Sequence, residues 1–167
     1  MSENKDLYTM DNFHIPRWNE LPSVDLYMDQ IITFISESLR PLFHHGGTAP
    51  ITKSMINNYV KAKIVDAPVN KKYPRQSVAM IIVVCILKNC FATDEIGKLI
   101  QLGLAMENTA ETYNRFCESI ENAVKSVFSG DFHLVDMKLE GRENKYLLES
   151  FAAVFAYKFY VQKSFLE

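Results

Sequence analysis

Glycine and proline are scarce, six of each in 167 residues, and they cluster in short loops. An all-β fold with many tight turns needs more of both, so that class is excluded. Cysteine is scarcer still. Cys85, Cys90 and Cys117 are odd in number, and two of them sit inside strongly apolar stretches. They read as buried, reduced structural thiols, and a reducing cytoplasm is the expected compartment. Cys85 and Cys90 would stand roughly 140° apart on a helix, which speaks against a shared metal. Long hydrophobic runs are missing too. The longest, Val78–Leu87, holds ten residues, short of the roughly 18 that a bilayer-spanning helix needs, so a core helix and no membrane partner are expected. The opening MSENKDLYTMDNF lacks the basic start, apolar run and cleavage site of a secretory signal.

What is present is ordinary in amount and uneven in placement. With 48% hydrophobic and 23% charged residues, the chain has the composition of a globular protein with a sizeable core. Its net charge is −2, yet Lys53, Lys61, Lys63, Lys71, Lys72 and Arg75 face a single acid, Asp66, between Ile51 and Arg75. That segment carries +5 and the remainder −7. A basic island in an acidic protein suits a face that meets phosphate; a solvated loop with chance lysines is the plainer alternative.

The organisation expected is an N-terminal arm over residues 1–22, a core domain over 23–106 and a C-terminal helical region over 107–167. Ser23 and Asp25 open a helix whose apolar residues Leu26, Met28, Ile31, Ile32, Ile35 and Leu39 recur at helical spacing up to Pro41. His44 and His45 lie in a loop, with no Cys, Asp or Glu at ligand spacing to suggest a metal site. Thr52 caps a short helix to about Ala62. The stretch from Asp66 to Pro74 is a basic, hairpin-like loop. Helices are expected over Gln76–Phe91, Thr93–Met106, Thr109–Phe128 and from Arg142 to Phe165, with a short candidate strand over Phe132–Met137.

On a helical wheel the segment from Lys53 divides cleanly. Lys53, Ser54, Asn57, Asn58 and Lys61 share one arc of roughly 140°, and Met55, Ile56, Tyr59 and Val60 share the other. The polar arc holds only amide, hydroxyl and ammonium groups, which donate to phosphates and to base edges in a major groove.

This run, the loop behind it and the helices through Ile100 resemble the DNA-binding domain of MerR-type regulators. In that family a short recognition helix ends in a tyrosine-containing stretch, and a wing ends in an aromatic residue before the next helix. Tyr59 and Tyr73 stand at those two places. The sequence departs from the pattern at Asn57, where an arginine is usual, at Asn58, where the first tyrosine of a pair is usual, and at Lys71-Lys72, where the wing usually carries Gly-Tyr-Arg. A wider likeness, through Leu21-Pro22, Asp25 to Gln30, Met55 to Lys61 and Lys71-Lys72-Tyr73, is to an uncharacterised Firmicutes family, the YkrK-like proteins. These resemblances imply a mostly α fold, a MerR-like winged helix-turn-helix with an added N-terminal helix and C-terminal helices.

The function expected is a DNA-binding transcriptional regulator that reads duplex DNA with the 53–62 helix and the 66–75 wing. Its contact residues are Lys53, Ser54, Asn57, Asn58, Lys61, Lys71, Lys72, Tyr73 and Arg75. The alternative is a non-catalytic protein–protein interaction module on the same fold. No paired carboxylates, phosphate-cradling glycine loop or nucleophilic trio is evident, so neither an enzyme nor a cofactor is expected. The aromatic segment from Tyr146 to Leu166, including Phe151, Phe155 and Phe159, covers more than one helix face. A homodimer through this helix is expected; packing on the Thr109–Phe128 helix and a pocket for a small-molecule effector are the other readings.

Overall fold

The computed structural model describes residues 10, 12–43, 49–105, 108–131 and 144–166. The chain is mostly helical, and its described strands form one two-stranded sheet. The elements are β1 (Leu26–Tyr27), α1 (Met28–Ser38), α2 (Arg40–Phe43), α3 (Lys53–Lys61), β2 (Lys72–Tyr73), α4 (Arg75–Leu87), α5 (Thr93–Leu104), α6 (Thr109–Ser129) and α7 (Asn144–Val161). They divide into two compact units, Pro16–Asn114 and Met1–Ile15 with Arg115–Glu167, the boundary falling within α6.

In the unit of residues 16–114, α4 is the core. Every residue from Ser77 to Leu87 is buried, as a helix apolar on all sides requires. Ile31 and Ile35 of α1, Ile56 and Tyr59 of α3, and Ile96 of α5 are buried as well. The N-terminal strap is pinned to the first half of α6. The Trp18 backbone N–H donates to Asn114 Oδ1 at 2.8 Å, and the Tyr113 hydroxyl donates to the Pro16 carbonyl at 2.8 Å.

Several boundaries differ from those the sequence suggests. The first long helix begins at Met28 rather than at Ser23, because Leu26 and Tyr27 are extended and pair antiparallel with Tyr73 and Lys72. The Gln30 side chain then accepts the Tyr27 N–H at 2.9 Å at the helix start. Pro41 lies within the first turn of α2, where a missing N–H costs nothing. α4 ends at Leu87 rather than Phe91, its last carbonyls taken by the Asn89 side chain, which donates to Cys85 and Ile86 at 3.0 and 3.1 Å.

In the other unit, α7 packs on α6 through aromatic rings. Phe116 meets Phe151 at 5.4 Å between centroids, and Phe128 meets Phe159 at 5.6 Å. Phe151, Phe155 and Phe159 are all buried. The Glu121 carboxylate is buried too, accepting the Ile15 N–H at 2.7 Å and lying 3.3 Å from His14 Nδ1. The expected strand at Phe132–Met137, the start of the last helix at Arg142 and the His44-His45 pair lie outside the described residues. Among the described residues no helix is long and apolar enough to cross a membrane.

Candidate nucleic-acid interface

The interface is built from α3 outward. The Thr52 hydroxyl caps it by accepting the Met55 N–H at 3.2 Å, satisfying one of the orphan donors at the helix start. The apolar arc turns inward. Lys88, the residue just past α4, reaches back to the Pro50 carbonyl and to Met55 Sδ, and Tyr59 lies near the Cys85 thiol. Burial pushes the Tyr59 hydroxyl above its ordinary pKa, with the nearby Cys85 adding to the shift. The Lys88 ammonium is pulled below its ordinary value by burial, and Cys85 is pushed up to about 12 by burial.

The polar arc turns outward. Lys53, Ser54, Asn57, Asn58 and Lys61 are all exposed. At the C-terminal end the Lys63 N–H bonds to the Val60 carbonyl and the Ile64 N–H to the Tyr59 carbonyl, both at 3.0 Å, with Lys63 at φ 57°. This is the Schellman arrangement, with lysine at the left-handed position that glycine usually fills. A cation there also suits the negative end of the helix dipole.

The wing is a hairpin whose tip is two residues long. Val69 and Lys72 exchange backbone hydrogen bonds of 3.0 Å in both directions. Between them Asn70 and Lys71 both have positive φ, 50° and 65°, the sign pattern of a type I′ turn. Asparagine tolerates that region; lysine adopts it at a cost of about 1 kcal/mol or more. Lys71 is exposed at the tip, while Lys72 is half-buried with its ammonium over the Tyr27 ring.

The nine sequence-derived residues therefore separate. The five on α3 and Lys71 face solvent. Lys72 is within reach of it. Tyr73 is 2% exposed and belongs to the core, paired with Leu26 across the sheet. Arg75 is half-buried, its Nε donating to the Pro22 carbonyl at 3.2 Å. Tyr73 and Arg75 thus hold the base of the wing, and the groups that can meet an external partner are the other seven.

Two residues join the site only in three dimensions. Tyr27 carries Lys72, and Asp29, two residues on, holds the Lys53 ammonium at 2.7 Å. The wing and the head of α3 are thereby bridged by the first turn of α1. Asn70 completes the hairpin tip. Beside this surface a shallow groove of about 440 Å³ runs along α1, lined by Leu26, Asp29, Phe34 and Glu37 among others. Among the described residues no cluster of three His, Cys, Asp or Glu side chains could hold a metal ion.

Residues 16–123 match the model of a protein family described as a domain of unknown function, DUF1836. No curated protein and no solved structure matches the chain.

Proposed function

The chain belongs to the DUF1836 family, and from that premise we propose that its 16–114 unit is a MerR-like winged helix-turn-helix that binds duplex DNA and regulates transcription. The wider likeness to the bacterial YkrK-like proteins is part of the same reading, as is action in the cytoplasm. One observation carries it. Tyr27, Met28 and Asp29 are consecutive, Lys72 sits over Tyr27, and Lys53 is held by Asp29. The head of α3 and Lys72 of the wing are accordingly linked through the segment Tyr27–Asp29. Lys71 and Lys72 position the phosphate backbone, and Asn57 or Asn58 reads base edges, since an amide side chain pairs well with adenine. No catalytic step and no cofactor enters this reading. Replacing Lys71 and Lys72 with Glu should weaken binding to every duplex; unchanged affinity would remove the surface from consideration.

A second reading, a protein-binding module on the same fold, is favoured by the exposed apolar side chains around the wing. Val24 is 67% exposed, Val69 69% and Tyr27 49%. Contacts through such groups depend weakly on salt, whereas phosphate contacts depend on it steeply.

The DNA reading extends to a two-fold dimer, because one small domain makes few contacts and winged regulators meet two half-sites. The residues first expected to carry it, Phe151, Phe155 and Phe159, are buried within the chain. Val154, Val161, Phe165 and Leu166 remain exposed on the C-terminal helix and the turn after it, and the proposed dimer rests on them.

A further inference from the structure

The polar arc of α3 contains no acid, yet an acid stands at its head. The Asp29 carboxylate of α1 lies 2.7 Å from the Lys53 ammonium. Both side chains are well exposed, 77% for Asp29 and 63% for Lys53, and a pair so exposed adds little to folding. An acid in the first turn of α1 suits that helix's dipole. The dipole does not account for the lysine of a second helix reaching over to it. What the pair does accomplish is to occupy, with an anion of the protein's own, the first cation of the face proposed to meet phosphate.

We propose that Asp29 is a built-in competitor for phosphate at Lys53, setting how tightly the face grips duplex of any sequence. The proposal rests on the DNA reading above. A carboxylate and a phosphate compete for the same ammonium. While Asp29 holds it, Lys53 neutralises no phosphate and displaces no counterion from the duplex. When DNA seats against Lys61, Lys71 and the asparagines, Lys53 stays with Asp29 and the face grips with one phosphate contact fewer. The loss lowers affinity irrespective of base sequence, as a device set against unwanted partners does.

The test is binding of the full chain to a random-sequence duplex, followed by fluorescence anisotropy across a salt series. Four proteins are compared: wild type, Asp29→Asn, Lys53→Ala and the double variant. Asp29→Asn should bind about fivefold tighter, with a log–log salt slope steeper by about 0.9, the contribution of one further phosphate contact. In the Lys53→Ala background the same change should alter affinity less than twofold. Equal affinities and slopes for wild type and Asp29→Asn would overturn the proposal while leaving the DNA reading in place. An undiminished gain in the Lys53→Ala background would show Asp29 acting on DNA directly and would overturn the competition. If neither wild type nor Asp29→Asn binds duplex, the DNA reading itself fails and the proposal falls with it. Circular dichroism melts check that each variant folds, and Asp29→Ser, also tolerated in a first helical turn, repeats the comparison.

Discussion

The Lys72 ammonium stands 5.0 Å from the centre of the Tyr27 ring, across the two-stranded pairing that joins Tyr27 to Lys72 backbone to backbone. The contact fastens the wing to the residue that opens α1. A half-exposed cation–π pair contributes about 0.5–1 kcal/mol. Tyr27→Ala should therefore destabilise the fold by about that amount and weaken duplex binding several-fold as the wing loosens, whereas Tyr27→Phe should keep both properties. Thermal unfolding and anisotropy measure the two effects, and a Tyr27→Phe protein as impaired as Tyr27→Ala would show that the ring face is not what matters.

Lys71 separates stability from binding. Its left-handed φ of 65° is a conformation that glycine adopts freely. Lys71→Gly should raise stability by about 1 kcal/mol, the relief of one strained residue, and at the same time weaken DNA binding through loss of the tip charge. Chemical denaturation and a binding titration on the same protein read both signs. A variant that is less stable than wild type would mean the turn does not carry the strain assigned to it.

The helices were legible because their apolar residues repeat with the helical period, and the Thr52 cap, the two-faced α3 and the all-buried α4 follow directly from that period. The paired Leu26 and Tyr27 were not, since two residues are too few for an alternating pattern to stand out from a helical one. The wing was recognisable as a hairpin from its prolines and lysines, but its tip was hidden: type I′ turns are usually announced by glycine, and here the tip is Asn70-Lys71. Tyr73 read as a contact residue because it stands where a MerR-type wing would end in an aromatic, while its pairing with Leu26 makes it core. Asp29 escaped notice because nothing in a one-dimensional pattern joins it to Lys53. Phe151, Phe155 and Phe159 suggested an intermolecular face because the count of aromatics on α7 exceeds one stripe, and α6 covers those three within the chain.

Alkaline pH should expose the burial of Cys85. Its thiol ionises near 9.0 in an unfolded chain and near 12 in the fold, owing to burial. The group keeps its proton longer when folded, so its contribution to stability is complete below pH 9 and is lost as pH rises toward 12. Burial raises Tyr59 and Tyr73 in the same sense. By about pH 11 the loss from Cys85 alone should be on the order of 3 kcal/mol, and Cys85→Ala should lack that component. Urea unfolding at pH 8 and pH 11 compares them, and parallel losses in the two proteins would contradict the assignment.

The dimer has its own test. Wild type at micromolar concentration should sediment at twice the 19.2 kDa of the chain, and Val154→Glu combined with Val161→Glu should sediment as a folded monomer. A wild-type monomer under those conditions would remove the dimer and leave the exposed side chains of the C-terminal helix without that role.

The central claim is that α3 and the wing grip phosphate together, and the salt dependence of wild-type binding to random duplex tests it most directly. Each phosphate contact adds about −0.9 to the slope of log affinity against log salt. With contacts from Lys61, Lys71 and Lys72, and Lys53 held by Asp29, the account predicts a slope of about −3, reduced in magnitude by about one for each of Lys61→Ala and Lys71→Ala. A slope near zero, or a steep slope that neither substitution changes, would contradict it.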